Sequence, residues 1–345
     1  MIFFARGNQI KHQLIFDVGS SKIILAQVLF HDSRSKPDIK RILISENVLL
    51  PEVDLRRLWR KISRLFDKIM QDYKENVSTD VEALIVFSSP WYYSEIQTLE
   101  RKFDFPQKIS KDFLEEMIEI QEKSFKKEEL TFMHSRIISA KLNGYPLKEP
   151  ERNISGKSAK EIFVSIYTSA FFREAALYFK KILEGRGIRT VEFQSSPWVI
   201  FDVLMQEGYS EVAVVDVGGE VTEIMLVKDG QMRKIASFGR GFNYLARRVG
   251  SALHLGLEEA ASLLLAYEEN KLETKMRSKV SELVKESIKD WQKLFQETVE
   301  THMPPDLMPK KIILTGRARL AEFSQALNSS FLDLMELYIK YAAKQ

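Results

Sequence analysis

The sequence contains no cysteine, and this absence excludes several kinds of chemistry. A chain without thiols forms no disulfide bond, has no thiolate metal site and cannot use a cysteine nucleophile. The five histidines show no metal-ligand spacing, and no His-Glu-x-x-His motif occurs. We therefore expect no metal centre built from thiolates or histidines, and the composition fits a reducing cytoplasm.

Long hydrophobic runs and a strong excess of one charge are also missing. No segment approaches the roughly 18 uninterrupted apolar residues of a membrane-spanning helix, and the opening residues carry only a short apolar run. The 51 basic and 48 acidic residues leave a net charge of +3. We predict a soluble, cytoplasmic chain without a nucleic-acid partner, whose contact with a membrane is indirect or peripheral.

Two stretches of the chain share one pattern. Residues 14–22 (LIFDVGSSK) and 212–223 (VAVVDVGGEVTE) each run from an apolar strand to an aspartate, skip one residue and enter a turn of small residues. Such a turn brings backbone N–H groups close to an anion, and the aspartate can hold a hydrated cation. One copy is explained as well by an ordinary hairpin with a capping aspartate. Two copies predict two similar halves that close on one nucleotide.

The candidate nucleotide-binding residues come from these two turns and from a third. Residues 314–320 (LTGRARL) deliver a glycine from a strand to a helix start, where the backbone can approach a nucleoside, although such turns are also common without a ligand. Asp17 and Asp216 are the candidates to hold Mg²⁺ through water. The complete set is Asp17, Gly19, Ser20, Ser21, Lys22, Asp216, Gly218, Gly219, Thr222, Gly316 and Arg317; no catalytic residue is assigned.

Two other glycine-containing stretches do not match phosphate-binding motifs. SGKS at 155–158 lacks the first glycine of a P-loop, because Glu151 occupies that position. The stretch 239–241 lacks the third glycine of a dinucleotide fingerprint, because Tyr244 stands there. The second stretch is more consistent with a turn that leads into a helix.

Periodicity predicts alternating strands and helices along the chain. In the first half we expect a β-hairpin over 14–31, a helix over 55–73 with Asp54 as its N-cap, a strand over 81–90, a helix over 111–126, a strand over 135–145, a loop over 146–158, a strand over 161–169 and a helix over 172–183. In the second half we expect a strand over 190–194, a helix over 198–206, a hairpin over 212–238, helical structure over 243–301, a strand over 311–316 and a helix over 318–343.

The three glycine turns, in this order, resemble the two phosphate loops and the adenosine loop of the actin-like ATPase superfamily. Within it the chain resembles the FtsA and PilM branch, because a polar module follows FSSPWYYSE (87–95) and because residues 239–264 are similar to FtsA. The resemblance covers residues 12–330. It implies an α/β fold that is actin-like (ribonuclease H-like) and two-lobed, with a small inserted α+β subdomain.

The resemblance also implies a division into domains. The expected parts are a first lobe (1–93) with the first phosphate loop, an inserted α+β subdomain (94–188), a second lobe (189–330) that includes a helical subdomain (about 240–305), and a C-terminal helix (331–345) packing on the first lobe.

The resemblance implies ATP and Mg²⁺ bound between the lobes, but three residues depart from the family pattern. Glu220 replaces the usual third glycine of the second loop, where a carboxylate would repel phosphate. Glu223 replaces the more common aspartate, and Arg317 replaces one of two paired glycines, where it could clash with the base, stack on it or pair with phosphate. We expect at most a slow ATPase.

Three functions belong to this fold. The leading prediction is an FtsA-type cytoskeletal adaptor at the inner membrane, which forms filaments or dimers and binds an FtsZ-like tubulin homologue. The alternative is a PilM-like type IV pilus platform protein that binds the cytosolic tail of a membrane protein. It gains support because the residues after Gly316 predict a packed helix and not a basic amphipathic membrane helix. A small-molecule kinase would need a catalytic carboxylate, for which we find no clear candidate.

Overall fold

The computed structural model describes residues 11–31, 36–46, 49–73, 81–125, 129–148, 150–304 and 308–343. Within these ranges the strands form three sheets, of which two have the same construction.

The first sheet has the strand order β3-β2-β1-β4-β9. Its strands β1, β2 and β3 are antiparallel neighbours, whereas β4 is parallel to β1 and β9 is parallel to β4. The apolar run of β1 is buried along most of its length because helices cover both faces of this sheet. The strands are β1 (Lys11–Val18), β2 (Lys22–Phe30), β3 (Asp38–Glu46), β4 (Val81–Phe87) and β9 (Thr190–Ser195).

The second sheet repeats this construction with the order β12-β11-β10-β13-β14. Its first three strands are again antiparallel and its last two again parallel. In each sheet the Asp-x-Gly turn connects the central strand to its antiparallel neighbour, so the repeated motif corresponds to a repeated architecture. The strands are β10 (Val212–Val217), β11 (Thr222–Lys228), β12 (Gln231–Phe238), β13 (Ile312–Gly316) and β14 (Ser330–Phe331).

The third sheet lies between β4 and β9 in the chain and is entirely antiparallel, with the order β5-β8-β6-β7. Its long first strand was not predicted from the sequence, because residues 94–108 are mostly polar or charged and their few apolar residues do not alternate regularly, so only pairing with β8 makes them a strand. The elements of this insert are β5 (Tyr92–Lys108), α2 (Lys111–Phe125), β6 (Leu130–Leu142), β7 (Tyr145–Leu147), α3 (Pro150–Asn153) and β8 (Ser158–Phe172).

The remaining helices cover the two similar sheets. One pair, α1 (Leu55–Asp72) and α4 (Arg173–Glu184), packs on the outer face of the first sheet. A second pair, α5 (Ser196–Gln206) and α10 (Leu334–Ala342), shares a core with both sheets and therefore lies between them. The other face of the second sheet is covered by α6 (Phe242–Leu253), α7 (Leu257–Glu268), α8 (Thr274–His302) and α9 (Ala321–Leu327).

The prediction of a single helix over 318–343 is wrong. Asn328 adopts a left-handed conformation (φ 47°) that ends α9, and β14 then pairs with β13. Asp333 begins α10 by accepting a hydrogen bond from the N–H of Met335 at 2.9 Å. The predicted helical stretch 243–301 is likewise divided into three helices, with His254 in a left-handed conformation at the first break.

The domain division stays a prediction, although two observations bear on its boundaries. Strand β9 falls in the range 189–330 predicted for the second lobe, but it pairs with β4 of the first sheet. Helix α10 packs in the core shared by both sheets. Lys126, the predicted last residue of α2, and residues 344–345 lie outside the described residues.

Candidate functional site

The two Asp-x-Gly turns have the same geometry and lie against each other. Each is closed by a hydrogen bond from its first glycine N–H to the carbonyl oxygen three residues later, at 3.1 Å in the first turn and 2.9 Å in the second. The N–H of Glu220 in the second turn donates to Ser20 Oγ in the first at 2.9 Å. The two predicted phosphate turns therefore meet between the two similar sheets.

The third glycine turn joins the second one. Strand β13 is parallel to β10, with Gly316 opposite Val217, and the N–H of Arg317 donates to Val217 O at 2.8 Å. The hydroxyl of Thr315 donates to Asp216 Oδ1 at 3.1 Å. Gly316 has a φ of +74°, and a Cβ atom there would collide with Asp216 Oδ1, so this position requires glycine.

Every predicted cofactor-binding residue except Thr222 lines one small space, which we call the inter-turn cleft. Thr222 is fully buried and directed elsewhere, because its hydroxyl donates to Arg240 O at 2.6 Å and accepts from Trp291 Nε1 at 2.9 Å. The residues that line the cleft are Asp17, Gly19, Ser20, Ser21, Lys22, Ser88, Ser89, Asp216, Val217, Gly218, Gly219, Gly316, Arg317 and Leu334.

The inter-turn cleft has the chemistry of a magnesium–nucleotide site but not the space for one. It offers two aspartates, a lysine and glycine turns, yet its volume is about 20 Å³, which is enough for about one water molecule. A Cβ atom on Gly219 would lie 2.5 Å from Ser21 Cβ, so the turns themselves occupy the gap. The residues in this arrangement do not fit a nucleotide. The described residues include no group of three or more His, Cys, Asp or Glu side chains suited to a metal ion.

Three buried carboxyl groups lie at or beside the cleft, and burial raises the pKa of each. The pKa of Asp17 is raised to about 7, although nearby Lys22 lowers it in part. The pKa of Asp216 is raised to about 6 and that of Glu223 to about 7. Ser89 Oγ donates to Glu223 at 2.8 Å, and the hydroxyl of Tyr92 also donates to this carboxyl. These carboxyls therefore titrate near neutral pH.

The Glu220 carboxylate points away from the cleft, contrary to the sequence-based expectation that it would face phosphate. It is 1% exposed and forms an ion pair with Arg247, whose Nη2 lies 2.6 Å from Oε2. Asn243 Nδ2 donates to Oε1 at 2.7 Å. Only the backbone N–H of Glu220 contacts the first turn. The charge of the Glu220 carboxylate is balanced by Arg247 of α6.

A larger cavity, of about 490 Å³, lies where the inserted sheet approaches the first sheet. Glu122 of α2, residues 132–136 of β6 and residues 191–194 of β9 line it, and we call it the β6–β9 groove. The sequence did not predict this groove. Its residues carry no motif, and they come together only when two separate sheets are placed side by side.

Two buried polar atoms beside the groove have no hydrogen-bond partner within the described residues, namely His134 Nδ1 and Gln194 Oε1. The other ring nitrogen of His134 lies 3.2 Å from Ser169 Oγ. Burial lowers the pKa of His134 to about 3, and the charge of Arg136 adds to this effect, so the ring is neutral at pH 7. Most buried polar groups in proteins are hydrogen-bonded, and a group without a protein partner is often satisfied by an ordered water molecule.

No family model matches the chain, and no curated protein matches it. Solved structures do match. A chain of the "PilM-PilN type IV pilus biogenesis complex" is 14% identical, with 94% of this chain and 89% of that chain covered and a TM-score of 0.62. The ethanolamine utilization protein EutJ from Carboxydothermus hydrogenoformans is 12% identical (96% and 89% covered, TM-score 0.47). MreB 5 of Spiroplasma citri bound to AMPPNP is 10% identical (96% and 95% covered, TM-score 0.47).

The chain has an actin-like ATPase fold, and the fold class predicted from the sequence is confirmed. Among the described residues, no single helix has the length and apolar character needed to cross a membrane. Only α6 and α7 taken together meet these criteria, and they are bent by 109° relative to each other.

Proposed function

We propose that the protein is an actin-like adaptor in the cytoplasm at the inner membrane, and that it binds an extended segment from the cytosolic tail of a membrane protein in the β6–β9 groove. The observation that carries this proposal is a pair of strand edges bordering the groove with which no described strand pairs. Binding of this kind requires no ATP hydrolysis, and the protein is at most a slow ATPase.

Within the described residues, one of these edges belongs to β9 and the other to the first part of β6. Strand β9 is the last strand of the first sheet, and β7 pairs with only three residues of β6, at 140–142. Over 130–136, therefore, no described strand pairs with the side of β6 that faces away from β8. Free edges present backbone N–H and C=O groups, to which an extended peptide can add as a further strand.

The side chains of the groove favour a peptide of mixed character. Phe132 is 42% exposed and offers an apolar contact, while Glu122, Glu192 and Arg136 line the groove with charges of both signs. We expect an extended segment with alternating apolar residues and charged residues of both signs.

The similarity to a chain from a PilM–PilN complex supports an adaptor function, since that structure shows the same fold in an assembly with a second protein. At 14% identity, this similarity shows a shared fold and does not identify the partner. We therefore infer the character of the partner segment from the residues that line the groove.

The proposal is tested with fluorescein-labelled peptides that cover the cytosolic tails of the source organism's single-pass inner-membrane proteins. We expect at least one peptide to bind the purified full chain in fluorescence anisotropy, and Phe132→Asp to weaken that binding by about tenfold or more. The matched control is Phe105→Asp, because Phe105 is 74% exposed on β5 of the same sheet and does not line the groove. Failure of every peptide, or equal weakening by both variants, would contradict the proposal.

Self-association is a second candidate, as expected for an FtsA-type filament, and it is favoured by β3. This strand ends the first sheet, and its Ile39, Ile42 and Ile44 are 47%, 49% and 59% exposed. An apolar edge strand of this kind can pair with another chain. Sedimentation of the protein alone, with and without Mg-ATP, distinguishes filaments from a soluble adaptor.

A further inference from the structure

Arg317 extends from the second half of the chain across the inter-turn cleft to the first half. Its Nη1 donates to Ser21 Oγ at 3.3 Å and lies 3.9 Å from Glu46 Oε2. Its guanidinium carbon lies 4.5 Å from the centre of the Phe242 ring, within the range of a cation–π contact. The side chain is only 15% exposed. A hydrogen bond, a charge and an aromatic ring thus hold the guanidinium in place.

A second contact closes the same cleft. The N–H of Glu220, which in a phosphate loop would be free for an anion, donates to Ser20 Oγ. Because the gap between the turns holds about 20 Å³, a nucleotide can enter only if the turns separate. Separation of the turns breaks the bond between Arg317 and Ser21.

We infer that Arg317 is a latch: its side chain holds the two turns together at the place where the phosphates of a nucleotide would enter. The contacts of this side chain with the first turn must break before a magnesium nucleotide can bind. A ligand that binds only an open state has an apparent affinity reduced by the fraction of molecules that are open. The latch lowers that fraction, so it weakens nucleotide binding without any contact to the nucleotide.

A different role for Arg317 predicts the opposite effect. A guanidinium that bound phosphate directly would strengthen nucleotide binding, and its removal would weaken it. In the structure its partners are already groups of this chain, Ser21, Glu46 and Phe242. The direction of the change in affinity therefore separates a latch from a phosphate ligand.

The experiment is a titration of the full chain with a fluorescent ATP analogue (mant-ATP) and Mg²⁺. We expect Arg317→Gly, which restores the paired glycines of an adenosine loop, to bind about tenfold more tightly than the parent chain. Arg319→Gly is the matched control, since Arg319 lies two residues away, is 59% exposed and pairs with Asp333 outside the cleft. Binding by Arg317→Gly that is no tighter than that of the parent, including no binding by either, overturns the inference.

A second measurement covers the case in which the glycine variant is unstable. Arg317→Lys keeps the charge but lacks the planar group that stacks on Phe242, so we expect an intermediate gain in affinity. Hydrogen exchange without nucleotide should be faster at residues 19–22 and 218–222 in the variants at 317 and unchanged in Arg319→Gly. Exchange at the parental rate in Arg317→Lys would refute the latch. None of these assays involves Phe132 or the β6–β9 groove, so the adaptor proposal is tested separately.

Discussion

Glu220 places a buried charge behind the second turn, directed away from the inter-turn cleft, and α6 supplies its partners. Asn243 and Arg247 are four residues apart and therefore lie on the same side of that helix. Both bond to the Glu220 carboxylate, and Arg247 Nη1 also donates to Leu50 O at 3.1 Å. The carboxylate thus anchors the second turn to α6 while its backbone N–H contacts the first turn.

Removal of the arginine from this pair should be costly. We expect Arg247→Met to lower the free energy of unfolding by about 3 kcal/mol, because the Glu220 carboxylate is then left buried without a counter-charge. The measurement is urea unfolding followed by circular dichroism. Arg248→Met is the control, since Arg248 is 47% exposed and lies 4.0 Å from Glu286; we expect a change within about 0.5 kcal/mol. Equal effects of the two substitutions would show that the buried ion pair contributes no more to the free energy of unfolding than an exposed one.

The elements differ in how far the sequence determines them. Helix α1 is predicted well because its apolar residues recur at helical spacing and Asp54 supplies a cap, accepting from the N–H of Arg57 at 2.8 Å. The chain after Gly316 is predicted poorly, because the break between α9 and α10 depends on β14 pairing with β13. Strand β5 is missed for the same reason. Local periodicity identifies elements that pack along one face, whereas pairing with a distant strand leaves no local signal.

The start of α10 provides a test at the scale of one element. Asp333 Oδ1 accepts from the N–H groups of Met335 and Glu336, at 2.9 and 3.4 Å. We expect Asp333→Ala to lower the free energy of unfolding by about 1 kcal/mol, since the first turn of the helix loses its cap. Asp333→Asn keeps the cap and removes only the exposed ion pair with Arg319, so its change should be much smaller. If the two variants unfold alike in urea, the cap contributes little.

The two candidate sites differ in how much the sequence reveals. Most of the residues that line the inter-turn cleft were identified from the sequence, because each glycine turn is a local motif. The repeated sheets then bring the three turns together. Its closure was not predicted, since it depends on which partners Arg317 and Glu220 find. The β6–β9 groove escapes prediction entirely, because strand edges become a groove only when two sheets are placed beside each other.

Several links hold the two halves of the molecule together across the cleft. Besides the contacts of Ser20 and Arg317, the Glu223 carboxyl on β11 accepts hydrogen bonds from Ser89 and Tyr92, which adjoin the first and third sheets. Glu223 is 7% exposed, and the nearby Asp216 carboxylate adds to the rise in its pKa caused by burial. The hydrogen bonds from Ser89 and Tyr92 act in the opposite direction and lower the pKa, because donors favour the ionised carboxylate, but burial has the larger effect on this bridging group.

This bridge predicts how stability changes with pH. The pKa of Glu223 is about 7 in the folded chain and 4.5 as the ordinary value, so the folded state binds the proton more tightly. Its stabilising contribution is full below about pH 4.5 and is lost as the pH rises through 7, with a total change of about 3 kcal/mol.

Glu223→Gln keeps the hydrogen-bonding shape of the side chain but does not titrate. We therefore expect the fall in unfolding free energy between pH 5 and pH 8 to shrink in this variant by about 2 kcal/mol. Asp17 and Asp216, whose pKa values are also raised, should preserve part of the fall. Urea unfolding at both pH values gives the difference, and Glu286→Gln, at a side chain 64% exposed, is the control. A Glu223→Gln variant with the parental pH dependence would mean that this carboxyl titrates normally in the folded state.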